Sequence, residues 1–267
     1  MPHAEATRRV TPIHATFDAY RRALERDEFT LYYQPRVRLA DGEVTGYEAL
    51  LRRTRAEGSE GAAALVEQAE KSAFGPRLGE WILRTAARQS LAWHESGVTV
   101  PIAVNVSTSQ FCDPGFLRLL GDLVCIDPAL PLHLELELAE AALTLQGDGA
   151  SQTLRELAAM GFGVQIDQFG TAASNLHRLG QNPVRALKID RSLVLAAPID
   201  AEAGRIVRAS VALAQAMELK VIAVGVETAE QYRFLQSWGC HEAQGFLFMP
   251  PMAPAKALEV WRGQEPR

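Results

Sequence analysis

The feature that most restricts the fold is a rhythm in which short apolar runs alternate with stretches of helical periodicity along most of the chain. Apolar residues three and four apart mark helices at roughly 14–27, 63–72, 77–96, 109–124, 148–160, 201–218, 229–238 and 254–262. Short apolar runs stand between them at 101–106, 132–138, 163–167, 186–189, 220–224 and 243–248. Two strands come earlier: Phe29 to Pro35, rich in aromatic and β-branched residues, and Glu43 to Leu51, separated by an Asp41-Gly42 turn. So tight a connection permits a hairpin, so the first strand is expected to run antiparallel to the second. Eight strands in this rhythm give an α/β fold of the modified (β/α)8, TIM-like barrel type rather than an open doubly wound sheet. No Gly-rich dinucleotide fingerprint supports the open sheet.

At 267 residues and 48% hydrophobic, the chain can bury one large core. The expected organisation is a loose leader over 1–13, a single barrel domain over 14–262 and a tail over 263–267. The net charge of -5 argues against a basic nucleic-acid face, so no DNA partner is expected. Cys112, Cys125 and Cys240 lie far apart without CxxC spacing and read as ordinary thiols in a reducing compartment. No apolar run reaches bilayer length, and residues 1–9 lack the apolar stretch of a signal peptide. A cytoplasmic protein without membrane insertion is the expectation.

A barrel carries its chemistry at the C-terminal ends of its strands. Those ends read Glu48, Asn105, Glu137, Asp167, Lys188, Val224 and Gln244, all polar except Val224. A polar side chain inside an apolar run is costly unless it is satisfied. Singly, each has a plain explanation: Glu135 and Glu137 alternate with leucines as in a half-exposed strand, Asn105 suits a turn, and Lys188 with Asp190 and Arg191 suits a structural ion-pair cluster. Together they place the oxygen donors Glu48, Asn105, Glu137 and Asp167 on one rim. That set suits a hard cation such as Mg²⁺, Mn²⁺ or Ca²⁺, with Lys188 beside it for anionic oxygens.

Tyr47-Glu48-Ala49-Leu50-Leu51-Arg52 carries a signature that resembles the EAL domain, a bacterial family that hydrolyses cyclic di-GMP to pGpG. The resemblance runs from about Arg21 to Trp261. It continues through Tyr33-Gln34-Pro35, Leu78-Gly79-Glu80-Trp81, Val104-Asn105-Val106-Ser107, Leu136-Glu137-Leu138-Ala139-Glu140 and Asp167-Gln168-Phe169-Gly170-Thr171. Leu187-Lys188-Ile189-Asp190-Arg191-Ser192, Gly225-Val226-Glu227-Thr228 and Gln244-Gly245-Phe246-Leu247-Phe248 complete it. The resemblance implies that Glu48, Asn105, Glu137 and Asp167 hold a first metal and that Lys188 stands near the attacking water. It implies ligand contacts for Gln34, Leu50 and Arg52, for Gln244 and Phe246 across the groove, and for Glu227, with Glu140 steadying the loop after Asp167.

The chain departs from the family pattern at three places. Gln168 stands where active members carry a second aspartate, Val224 where they carry a glutamate, and Ala172-Ala173 where they carry glycine and tyrosine. In the family pattern the first two positions serve the second metal, and the glutamate has also been assigned as general base. An amide carbonyl is a poor ligand for a hard dication, and valine is none at all. The expectation is a catalytically degenerate member in bacterial signalling with at most one cation and the second site lost. It would act as a cyclic di-GMP effector or a regulatory protein-interaction module, with a protein partner and with homodimer formation open. Two other readings are an active or residual metal-dependent phosphodiesterase, and a scaffold indifferent to nucleotide.

Overall fold

The computed structural model describes residues 21–55, 58–61, 66, 69, 74–144, 149–171 and 176–264. Strands β1 (Phe29–Arg38) and β2 (Val44–Arg55) form the expected hairpin, in antiparallel register from Phe29 opposite Arg53 to Val37 opposite Val44. A ninth strand, β3 (Gly58–Gly61), extends that hairpin beyond the eight expected. Its Gly-Ser-Glu-Gly sequence has no β-forming residue, so pairing to Arg52–Arg55 alone defines it. The barrel continues through β4 (Ile102–Val106), β5 (Leu134–Ala139), β6 (Gly163–Phe169), β7 (Ala186–Ile189), β8 (Lys220–Val224) and β9 (Glu242–Gln244). The sheet order is β1-β9-β8-β7-β6-β5-β4-β2-β3, and the β1–β2 pairing closes an eight-stranded barrel with β3 outside it. β1 runs antiparallel to both its neighbours, and β2 and β4 through β9 pair in parallel.

The helices form the outer layer. They are α1 (Gly75–Glu95), α2 (Thr108–Phe111), α3 (Phe116–Ile126), α4 (Leu130–His133), α5 (Gly149–Ala159), α6 (Leu176–Gln181), α7 (Arg191–Ala196), α8 (Ala201–Ala216), α9 (Ala229–Ser237) and α10 (Pro254–Arg262). Strand β5 shows how the layers divide: Leu134, Leu136 and Leu138 are almost wholly buried beneath helices, while Glu135 and Glu137 bond to residues of non-adjacent strands across the barrel. The alternation is therefore core outside and polar inside, not a half-exposed strand.

Several expected boundaries differ. The helix expected over 109–124 is split at Asp113-Pro114-Gly115, where Pro114 has no N–H to offer and Asp113 Oδ1 accepts from Gly115 N at 2.6 Å. The helix expected over 201–218 ends at Ala216, and Glu218 takes φ 58°. The last strand, expected over 243–248, stops at Gln244. There the chain folds against the loop after β8: Gly225 N and Val226 N donate to Gln244 O, and Leu247 N donates to Val226 O at 3.0 Å. The leader over 1–13, most of the helix over 63–72 and the Ala172-Ala173 loop lie outside the described residues.

Gly245 makes that crossing possible, since a Cβ there would lie 2.0 Å from Val226 O. Gly245→Ala should cost about 2–3 kcal/mol of stability in urea unfolding, the scale of overpacking against atoms that cannot yield. Gly121→Ala, inside α3 with nothing within 4 Å of the added methyl, should instead stabilise by about 0.5–1 kcal/mol.

Candidate functional site

Successive strands aim alternate residues inward, which builds two polar decks inside the barrel. The N-terminal deck joins Arg36, near the end of β1, to Glu242 at 2.6 Å and Glu135 at 3.0 Å; Gln165 Nε2 donates to the same Glu135 oxygen, and Lys220 reaches Glu242 at 3.3 Å. Two cations there answer two carboxylates. The C-terminal deck is not balanced in this way. Lys188, 1% exposed, donates to Glu48 Oε2 at 3.1 Å and Glu137 Oε2 at 2.5 Å, with Asp167 Oδ1 at 4.0 Å. One ammonium faces three carboxylates.

Neutral amides finish the arrangement. Asn105 Nδ2 donates to Glu48 Oε1 at 2.8 Å, and Gln244 Nε2 donates to Glu48 Oε2 at 2.7 Å and to Gln34 Oε1 at 3.0 Å. Gln34 in turn donates to Met249 O at 3.0 Å. Glu48 thus receives three donors, and although burial pushes its pKa up, Lys188, Gln244 and Asn105 hold it below the ordinary carboxylate value. Among the described residues Glu137 has only Lys188. Burial first, then the charges of Glu48 and Asp167, push it up to about 8. Asp167 is also raised by burial, against the pull of Lys188. The ammonium of Lys188 is opposed by burial and held by Glu137, Glu48 and Asp167, with a net shift upward.

The oxygen donors expected from the sequence therefore meet at one place. Three carboxylates and one ammonium leave a net charge of about two negative units when all are ionised, which one divalent cation would neutralise. The donor types also suit a hard cation. Among the described residues, however, no three acidic, histidine or cysteine side chains already surround an ion-sized position, because Lys188 stands between Glu48 and Glu137. The set fits one dication in chemistry and charge, held by Glu48, Asn105, Glu137 and Asp167, with Lys188 giving way.

The two replaced positions lie on the same rim. Gln168 follows Asp167 with an exposed side chain and a left-handed backbone at φ 58°, where aspartate is far more at ease than glutamine. Thr171 Oγ1 donates to its carbonyl at 3.0 Å. Val224 ends β8 half-buried, opposite Gln244, and brings no oxygen from its side chain. Glu227 is drawn to Arg191 at 2.6 Å. Glu140 is buried, with Oε2 unpartnered among the described residues.

Beside the carboxylates opens a cavity of about 510 Å³, lined chiefly by apolar residues including Leu50 and Leu78, with Arg52, Asn105, Ser107, Gln110 and Gln168 as polar members. Arg52 lies 5.9 Å from the Tyr32 ring centroid and donates to Leu51 O at 3.1 Å. Phe246 stands 62% exposed beyond Gln244. Gln34 and Gln244, expected as ligand contacts, are buried and bonded to each other and around Glu48. Sequence reasoning missed the whole N-terminal deck, and it missed Gln110.

A family model described as the EAL domain matches residues 18–251. The bifunctional diguanylate cyclase/cyclic di-GMP phosphodiesterase MucR of Pseudomonas aeruginosa is 39% identical over 240 residues, covering 89% of this chain and 35% of MucR. The cyclic di-GMP phosphodiesterase PdeR of Escherichia coli is 35% identical over 242 residues, covering 90% of this chain and 36% of PdeR. The chain thus spans about a third of the length of these curated relatives. A solved structure of the PaMucR phosphodiesterase in complex with c-di-GMP superposes with a TM-score of 0.87 at 37% identity, covering 91% of this chain and 99% of that one. No helix among the described residues is long and apolar enough to cross a membrane.

The raised Glu137 gives the metal-free site a pH signature. Unfolded, Glu137 titrates in the ordinary carboxylate range, and folded it titrates near 8, so between those values the folded state holds the extra proton. Its contribution to stability is full at low pH and lost as pH rises through the folded value. Metal-stripped protein should therefore melt at a lower temperature at about pH 8.5 than at about pH 6, and Glu137→Gln should flatten that slope. Thermal melts by circular dichroism across that range would check it; a wild-type profile rising with pH would contradict it.

Proposed function

Since the chain belongs to the EAL domain family, we propose that it recognises cyclic di-GMP at the strand-end groove but hydrolyses it very poorly or not at all. In this reading it works as an effector or regulatory module in bacterial signalling. The observation that carries the reading is the pair Gln168 and Val224, two non-acidic side chains where the family pattern puts carboxylates. EAL phosphodiesterases depend on divalent metal. When bound, such cations act as Lewis acids and lower the pKa of a water. A single dication balances the three carboxylates and Lys188, and a second would meet an amide and a valine. Losing a contribution of about 4 kcal/mol to the transition state slows a reaction about a thousandfold. The nearby Glu227 is paired with Arg191.

Binding draws on residues that remain. Arg52 offers a guanidinium to a phosphate edge, the apolar wall around Leu50 accepts a base, and the exposed Phe246 offers a ring on the opposite rim. Glu48, Asn105, Glu137, Asp167 and Lys188 would position the phosphate through one cation. The retained set also keeps residual phosphodiesterase activity as the second reading, and turnover distinguishes the two.

Isothermal titration should give a heat of binding with cyclic di-GMP, and chromatography after prolonged incubation with Mn²⁺ should show no pGpG. Arg52→Ala should weaken binding by about 1.5–3 kcal/mol, the scale of hydrogen bonds to charged groups. EDTA should weaken it less. Turnover near that of active relatives would overturn the non-catalytic part, and the absence of heat or competition at high micromolar ligand would leave the nucleotide-independent scaffold.

A further inference from the structure

Regular alternation along β6 would hide residue 168. Successive residues of a strand point to opposite faces, so Gln168 should share the core face of Ile166. It does not. Ile166 stands opposite Leu187 and Phe169 opposite Ile189, so β6 advances three residues while β7 advances two. Between those pairs Asp167 and Gln168 fall against Lys188 alone, the pattern of a β-bulge. Phe169 returns to the core with Ile166, and Asp167 keeps its place beside Lys188. Gln168 is the extra residue. Its backbone is left-handed at φ 58°, its side chain is exposed, and it forms part of the cavity wall with Leu50 and Arg52.

A bulge beside a functional site re-aims a side chain, and a glutamine in left-handed backbone holds that aim at an energetic cost. Thr171 Oγ1 bonds the Gln168 backbone carbonyl, and the side-chain amide has no partner among the described residues. The neighbouring amide of the wall is already committed, since Asn105 Nδ2 donates to Glu48. Gln168 therefore brings two uncommitted N–H groups to the same wall as Arg52. The charge around it shows what such a donor serves. Glu48, Glu137 and Asp167 outnumber Lys188 beside this cavity, so an anionic ligand is repelled unless donors or cations meet it. A carboxylate at 168 would add to the repulsion and need a cation to admit the ligand. An amide donates to the anionic oxygen directly.

We infer that Gln168 is a ligand-contacting residue whose amide donates to a phosphodiester oxygen, so that the groove holds its ligand without a second cation. The inference rests on the cyclic di-GMP reading above and deepens it. The replacement that removes a metal ligand supplies an anion contact in its place. The apolar wall around Leu50 and Leu78 takes a base, and Arg52 and Gln168 take the phosphate edge.

The test is a titration of cyclic di-GMP, in Mg²⁺ and in EDTA, into wild-type protein, Gln168→Gly and Gln168→Asp, with thermal melts run alongside. Glycine and aspartate both suit a left-handed residue better than glutamine does, so all three proteins should fold. Wild type in EDTA should bind within about threefold of its affinity in Mg²⁺, and Gln168→Gly should bind about tenfold more weakly in both, the scale of one hydrogen bond to a charged group. Gln168→Asp should bind most weakly of the three in EDTA and recover about tenfold on adding Mg²⁺, a split that a merely structural residue would not show. Wild-type affinity in Gln168→Gly, or no gain from Mg²⁺ in Gln168→Asp, would overturn the contact while leaving nucleotide binding in place. So would a wild type that binds in Mg²⁺ and not in EDTA. A wild type that binds in neither condition would remove the cyclic di-GMP reading and this one with it.

Discussion

Everything at the working end of the barrel depends on one ammonium shared among three acids. Lys188 reaches Glu48, Glu137 and Asp167 from β7, and it is buried with almost no exposure to water. A buried lysine keeps its charge only when carboxylates compensate its burial, and buried carboxylates keep theirs only when cations answer them. Here the answer is incomplete, so Glu137 is driven to hold a proton that a cation could replace. The other end of the same barrel has Arg36 and Lys220 set against Glu135 and Glu242, and its charges balance. The two decks have similar chemistry, and the charge imbalance separates a site from a structural plug. This agrees with the general division of such barrels into a functional C-terminal face and a stabilising N-terminal one.

The same accounting explains how recognition can outlive catalysis. The groove residues Leu50, Arg52 and Gln110 stand on β2 and α2, whereas the altered positions Gln168 and Val224 stand at the ends of β6 and β8. Gln168 itself lines the cavity with Leu50 and Arg52, whereas Val224 does not. Gln168 takes a left-handed backbone, a conformation that aspartate adopts more readily than glutamine. The Gln168 backbone and Lys188 both draw the Asp167 carboxyl down against the upward push of burial.

Much of this was legible in the sequence, and the exceptions have physical causes. The strand-end residues Glu48, Asn105, Glu137, Asp167 and Lys188 stood out because each interrupts or ends an apolar run, and the barrel brings them together. The direction of β5 was not legible: leucines under helices and glutamates inside a barrel give the same period of two as a half-exposed strand. Arg36, Glu135, Gln165 and Glu242 passed as ordinary charges and amides, since nothing local distinguishes an inward-facing residue at a strand's first turn from a solvated one. β3 has no strand propensity and exists only through its partner. The break at Asp113-Pro114-Gly115 was written in turn residues, and the apolar periodicity on either side masked it.

The central proposal is that the carboxylates absent at Gln168 and Val224 are what separates this protein from hydrolysis. It is tested most directly by restoring them together. Gln168→Asp and Val224→Glu each supply part of one site and should do little alone, while the combined variant should gain more than the product of the two single gains, because ligands of one centre act as a unit. The measurement is the rate of pGpG formation from cyclic di-GMP with saturating Mg²⁺ or Mn²⁺ for wild type, both single variants and the double variant. The account predicts that the double variant alone shows clear turnover. A wild-type rate matching the double variant, or a folded and metal-binding double variant that remains inert, would contradict it.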